Sequence, residues 1–342
     1  LSDQGDVKMA TVGQNYLDLA DYYRKQDPDG SVADVIEMLA EINPILDDAI
    51  TQECNDGSSH LTTTRTGLPQ GTWRKLYQGV QPSKSATAQV KDTTGFLEAY
   101  SEVDNKLIKL AGGNGNALRL DEAETFVEGM SNQMASAMFY SDTDVNPEQY
   151  LGLHPRFDKL GTTGSASQII DGGGTSTDNT SVWFIVWSPK TVSLLYPKGS
   201  SAGVQREDLG KTTKELSSGA MYEVMREHFS WDMGLTVRDW RYIARVCNID
   251  VSDLNAAGAS ALDALIKNMI RAYYKLRQRK VRNGRAAIYC NTTVKTALHL
   301  AAMDKASNTL TIEMMEGQEV VKFLGIPIRE VDALINTESR IT

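Results

Sequence analysis

The stretch from His60 to Thr94 constrains the fold most, because it has strand-like arms and almost nothing to bury. It is dominated by Thr, Gln, Ser, Gly and Lys. Pro69 and Pro82 exclude a place in a central strand, since proline has no N–H for the ladder. Its middle, Trp73-Arg74-Lys75-Leu76-Tyr77-Gln78-Gly79-Val80-Gln81-Pro82-Ser83-Lys84-Ser85, holds the only Trp and Tyr of the segment. A two-stranded ribbon without an apolar face is marginal in water. Ordering it requires another surface, for which a neighbouring copy of the same chain is the natural source. The other reading of these residues is a long surface loop.

Composition sets bounds on the rest. A chain of 342 residues, 41% hydrophobic, buries a substantial core in one elaborated domain or two. A net charge of −9 argues against a chain-wide nucleic-acid footprint, which would be basic. Cys54, Cys247 and Cys290 are far apart and odd in number, so a reducing compartment is expected and a disulfide framework is not. No apolar run approaches the ~20 residues that a membrane-spanning helix needs. Residues 1–20 lack the apolar centre of a signal peptide. The expectation is a soluble chain made in a cytoplasm, with no membrane partner.

Periodicity organises the chain around that ribbon. Residues 1–30 read as a polar arm, and Ser31 caps a helix with Val32, Val35, Ile36 and Leu39 on one stripe. From Asp121 to Tyr140, Phe126, Val127, Met130, Met134, Ala137 and Met138 recur at helical spacing, which predicts a long rod with a Met-rich core face. Val182–Trp187 and Thr191–Tyr196 predict two strands joined as a hairpin around Ser188-Pro189-Lys190. Met221–Trp231 and Leu235–Val246 predict two further long strands. A helix over 261–281, a strand over 286–290, a helix over 292–303, and strands over 310–314 and 319–328 complete an α/β unit.

Several segments carry a resemblance. Thr66-Gly67-Leu68-Pro69, Gly79 to Ser85 and Leu97-Glu98-Ala99-Tyr100-Ser101-Glu102-Val103-Asp104 resemble the extended-loop region of major capsid proteins from short-tailed, double-stranded DNA bacteriophages. Ser131-Asn132-Gln133-Met134-Ala135-Ser136, Gly234 to Tyr242 with Asn248-Ile249-Asp250, and Phe323 to Arg329 are similar to later parts of the same family, in the same order. The resemblance implies an α+β chain with the tailed-phage capsid fold. It further implies an N-terminal arm over 1–55, an extended loop over 56–104, a peripheral domain over 105–250 with a spine helix over 121–140, and an axial domain over 251–342. Little chain follows Pro327, so the long strands of the peripheral domain must precede the axial domain, a rearranged strand topology. The implied work is assembly of copies into pentamers and hexamers of an icosahedral shell around DNA, in the host cytoplasm. Scaffolding protein, portal and a decoration protein are the implied partners. Trp73 and Tyr77 are the candidate aromatic anchors of the subunit contact, with Arg65, Arg74 and Lys84 as polar partners.

Catalytic and ligand motifs are weak. Gly199-Ser200-Ser201-Ala202-Gly203 matches the nucleophile-elbow pattern, but Pro197-Lys198 stand where a strand should end and no helical stripe follows Gly203. A serine hydrolase using Ser201 is the alternative function. His60, His154, His228 and His299 lack partners at metal-ligand spacing, so neither metal nor cofactor is expected. Lys267, Arg271, Lys275, Arg277, Arg279, Lys280, Arg282 and Arg285 form a run without a carboxylate. That basic helix, 267–285, contacts either phosphates non-specifically or an acidic neighbouring surface.

Overall fold

A computed structural model describes residues 43–256, 259–279, 281, 283–303, 310–315 and 318–342. The arm over 1–30 and the helix capped by Ser31 lie outside the described residues. The elements in order are α1 (Ile45–Asp48), β1 (Thr51–Glu53), β2 (Ser59–Gly67), β3 (Ala86–Asp104), α2 (Asn105–Ala111), α3 (Gly115–Tyr140), β4 (Ile169–Asp171), β5 (Asn179–Trp187), β6 (Val192–Tyr196), β7 (Gln205–Glu215), β8 (Met221–Val237), β9 (Ile243–Asp250), α4 (Val251–Ala256), α5 (Ala259–Lys275), β10 (Arg285–Cys290), α6 (Thr292–Met303), β11 (Leu310–Met315), β12 (Gln318–Phe323) and β13 (Ile326–Glu330).

The described residues form two compact units, one of 97–131 with 203–231 and the other of 43–96, 132–202 and 232–342. The larger unit is built around β5, whose every residue is buried. Antiparallel pairing with β9 and β10 occupies both of its edges. Val182, Phe184 and Val186 face a core made with Met269 and Ala272 of α5, Val294 and Leu298 of α6, and Phe323 of β12. On the opposite face Trp183 packs against Phe139 and Phe157, with ring centroids 6.2 and 5.9 Å away. A strand covered on both faces reads as an uninterrupted apolar run, which is how this one appears in the sequence.

A buried polar network closes that unit. Arg245, fully buried, donates to Glu338 at 2.8 Å, to Ser181 and to the Phe157 carbonyl, and its guanidinium lies 4.6 Å from the Trp183 ring. Tyr140 donates to the other oxygen of Glu338 at 2.7 Å, and Ser181 donates to Glu338 as well. Each charge has a partner, as burial requires.

In the smaller unit β8 pairs with β7 and β3. Ala123, Phe126, Val127 and Met130 of α3 pack on Phe229 of β8, the Phe126 and Phe229 rings stacking at 5.8 Å. Buried Glu227 accepts from Arg119 of α3 at 2.6 Å and from Arg206 of β7 at 2.7 Å. Met130, Met134 and Met138 are all buried, as the stripe predicts.

The structure corrects four local expectations. Val182–Trp187 and Val192–Tyr196 do not form a hairpin: β5 and β6 run parallel and meet only at Trp187 and Val192. With both edges of β5 already occupied, β6 pairs instead with β1 and with residues 234–237 of β8. The strands expected over 221–231 and 235–246 are differently divided. Gly234 lets β8 continue, since a Cβ there would stand 2.6 Å from the Thr93 carbonyl, and the break comes at a turn capped by Asp239. The strand expected over 319–328 is a hairpin, turned at Leu324 and Gly325 with φ of +48° and +82°. The long helix begins at Gly115 rather than Asp121, directly after a 3-10 turn at Gly112–Asn114.

Candidate intersubunit surface

The segment between His60 and Thr94 is a β-hairpin with a fixed root and a bare tip. Its arms pair from Ser59 with Thr93 to Gly67 with Ala86, with a bulge between Arg65 and Gly67. The β-branched Thr62, Thr63, Thr64 and Thr66 favour the extended arm, while Pro69 and Pro82 fall beyond the last paired residues, where no N–H is needed.

The root is held by buried polar chemistry. Asp92 accepts from Arg156 at 2.9 Å and from Thr236 at 2.7 Å. Arg156 also donates to the carbonyls of Leu151 and Leu235, so the guanidinium ties the hairpin to two other segments. Gly95 lies so close to the chain at Glu148–Tyr150 that a Cβ would stand 3.1 Å from the Glu148 carbonyl. Buried His60 contacts the Arg238 guanidinium through Nε2. The guanidinium can only donate, so Nε2 must be the acceptor and the imidazole neutral. Burial, followed by the charge of Arg238, holds the His60 pKa below the ordinary imidazole value.

The tip has no such support. Every residue from 68 to 91 is exposed, and Trp73 and Tyr77 each expose 102% of their reference area. Leu68, Leu76 and Val80 are exposed beside them. The Gln78 amide bonds the Lys75 carbonyl at 3.2 Å, and Ser83 bonds the Gln70 carbonyl at 3.0 Å. Tyr77 takes a left-handed φ of +65°, which turns the chain at that point. Between Asp56 and Asp92 there are cations at Arg65, Arg74, Lys75, Lys84 and Lys91 and no carboxylate.

Of the residues picked from sequence, Trp73, Arg74, Tyr77 and Lys84 fall on this tip, and Arg65 lies lower, on β2. The root residues Asp92, Arg156, Thr236, His60 and Arg238 were not legible, because they come together from segments remote in sequence.

Catalytic geometry is absent where the elbow motif falls. Ser201 sits in turns between β6 and β7, so a strand follows it where an elbow needs a helix. Among the described residues no group of His, Cys, Asp and Glu could hold a metal ion, and no helix is long and apolar enough to cross a membrane.

The family Major capsid protein GP7 matches residues 27–342. The chain belongs to that family. It is also similar to the capsid protein in the structure of bacteriophage Epsilon15, at 37% identity over 97% of this chain and 99% of that one, with a TM-score of 0.78. Weaker likenesses include the capsid of the native GTA particle (9% identity, 64% and 92% of the two chains, TM-score 0.42) and that of Mycobacterium phage Adephagia (10%, 67% and 97%, 0.43). No curated protein matches. As a major capsid protein with the tailed-phage capsid fold, the chain is a structural subunit of a virion and not an enzyme. The hydrolase reading of Ser201 and the nucleic-acid reading of the basic helix lose their support.

Proposed function

We propose that copies of this chain assemble as pentamers and hexamers of an icosahedral shell around double-stranded DNA, and that the hairpin tip of one copy lies on the smaller unit of the next. The observation that carries this reading is the complete exposure of Trp73 and Tyr77 on a tip with no apolar partner of its own. Large rings in water are stabilised only when another surface covers them. The smaller unit offers such a surface: Leu209, Leu216 and Met221 are exposed near Glu207, Glu215 and the Lys211–Glu223 ion pair. Apolar spots beside the carboxylates of Glu207 and Glu215 complement an apolar tip rimmed by Arg65, Arg74 and Lys84.

The domain division that goes with this reading is an arm over 1–55, the extended loop over 56–104, a peripheral domain over 105–250 and an axial domain over 251–342. Scaffolding protein, portal and a decoration protein are the proposed further partners, with assembly in the host cytoplasm. The acidic balance of the chain restricts its contact with packaged DNA to weak, non-specific binding.

A photoreactive amino acid at position 73 tests the tip contact. In assembled particles it should cross-link two chains, with the acceptor peptide mapping to 97–131 or 203–231. Particles that yield only cross-links within one chain refute the contact; absence of particles by negative-stain microscopy, with or without scaffold, refutes the assembly reading itself.

A further inference from the structure

The larger unit carries a concave pocket and a cationic aromatic knob that assembly through the hairpin leaves unused. The pocket, about 300 Å³, is lined by the glycine loop Gly172–Gly174, by Asp250 and Asp253, and by apolar Leu254 and Leu265. At ~30 Å³ per water it has room for about ten waters, or for one large side chain. Asp253 is exposed and makes no ion pair with any described residue, whereas Asp250 is engaged in capping α4 through Ser252 and the Asp253 amide.

The knob lies at the other end of α5. Tyr274 is 68% exposed, and Arg279 stacks over both Tyr273 and Tyr274, 4.5 and 4.9 Å from their ring centroids. Arg277 is exposed beside them. Lys275 is not free to reach outward, because its ammonium donates to the carbonyls of Ser167 and Ile169. Arg285 donates to the Asp47 carbonyl, and Arg271 to Asn268. Among the described residues of the run, Arg271, Lys275 and Arg285 are therefore engaged within the chain, and Lys267 and Arg277 remain as exposed cations at different positions along it. At the Arg277 end it presents a tyrosine held by a guanidinium beside an exposed arginine, side-chain types that dominate protein contacts.

We infer that the Tyr274–Arg277 knob of one copy seats in the Asp253 pocket of a second copy. Ala264 at the pocket and Tyr274 at the knob are about 15 Å apart along the helix axis at ~1.5 Å per residue. That is beyond the reach of a tyrosine side chain, so a copy cannot fill its own pocket. The charge and shape complement: a cation and a ring on one side, a carboxylate and an apolar lining on the other. Knob and pocket are different patches of one chain, so the contact is heterologous and runs head to tail, which makes a ring where the rotation between copies closes. The rest of each copy is more acidic than its net −9, because eight of its cations lie in 267–285, so a second copy is an attractive partner for the knob and DNA is not required.

The inference rests on the self-assembly reading, and a charge swap tests it separately. Arg277→Glu and Asp253→Lys should each raise the protein concentration at which particles form by about tenfold or more, as loss of a desolvated charged contact does. The double variant Arg277→Glu/Asp253→Lys should restore assembly towards wild type. Ala264→Trp, which fills the pocket without changing charge, should block assembly while leaving the thermal transition of the protomer in place. Wild-type assembly by Arg277→Glu, or no recovery in the double variant, overturns the contact. Normal particles that package less DNA also overturn it, in favour of a DNA-facing knob. Failure of the wild-type chain to assemble at all counts against the self-assembly reading instead.

Discussion

Trp73→Ala separates assembly from folding. The ring exposes 102% of its reference area in the protomer, so its removal takes nothing from the core. Protomer stability should stay within ~0.5 kcal/mol of wild type, the range of surface substitutions. In the proposed contact the same ring is covered. A tryptophan buries about 150–250 Å², which at ~25 cal/mol per Å² gives roughly 4–6 kcal/mol as an upper figure. Ordering of the tip offsets part of that, leaving at least ~2 kcal/mol, the scale of a truncated hot spot. That is about thirtyfold in the equilibrium constant of one contact, and every copy in the shell repeats it. Protomer stability is read by thermal unfolding and assembly by sedimentation across a concentration series. Loss of the cooperative transition, or unchanged assembly, would refute the reasoning.

Three further outcomes follow from particular contacts. Glu338→Ala leaves the Arg245 guanidinium buried without its carboxylate and should destabilise the protomer by ~3–5 kcal/mol, seen as a fall in Tm of roughly 4–7 °C for a chain of this length; a fall below ~2 °C contradicts the network's role. For His60 the folded pKa lies below the unfolded value, so its contribution is present above the ordinary imidazole pKa and is lost as pH falls through the folded one. His60→Gln, which keeps an acceptor for Arg238, should flatten that part of the acid loss of stability, and an unchanged pH profile would remove His60 as its source. Ser201→Ala should assemble as wild type does, and stoichiometric labelling of Ser201 by a fluorophosphonate would reopen hydrolase chemistry.

How much was legible depended on whether the signal was local. The Met stripe of α3 repeats at helical period, and the poverty of apolar residues around Trp73 is visible residue by residue. Partnering is not local. Val182–Trp187 looks like one arm of a hairpin because Ser188-Pro189-Lys190 follows it, yet its partners are β9 and β10, far along the chain. The hairpin root was hidden for the same reason: Asp92, Arg156 and Thr236 look like unrelated surface residues until the strands bring them together. The basic run misled in a different way, since Lys275, Arg279 and Arg285 make their contacts within the chain.

Deletion of Gly67–Ser85 with a short closing turn tests the central claim most directly. The removed residues lie at or beyond the last strand pair and contribute almost no buried surface, so the protomer should remain soluble and unfold in a cooperative transition like that of wild type. Electron microscopy should then show no closed particles under conditions where the wild-type chain forms them. Closed shells built from the deleted chain would contradict the assignment of this hairpin as the arm that joins one capsid subunit to the next.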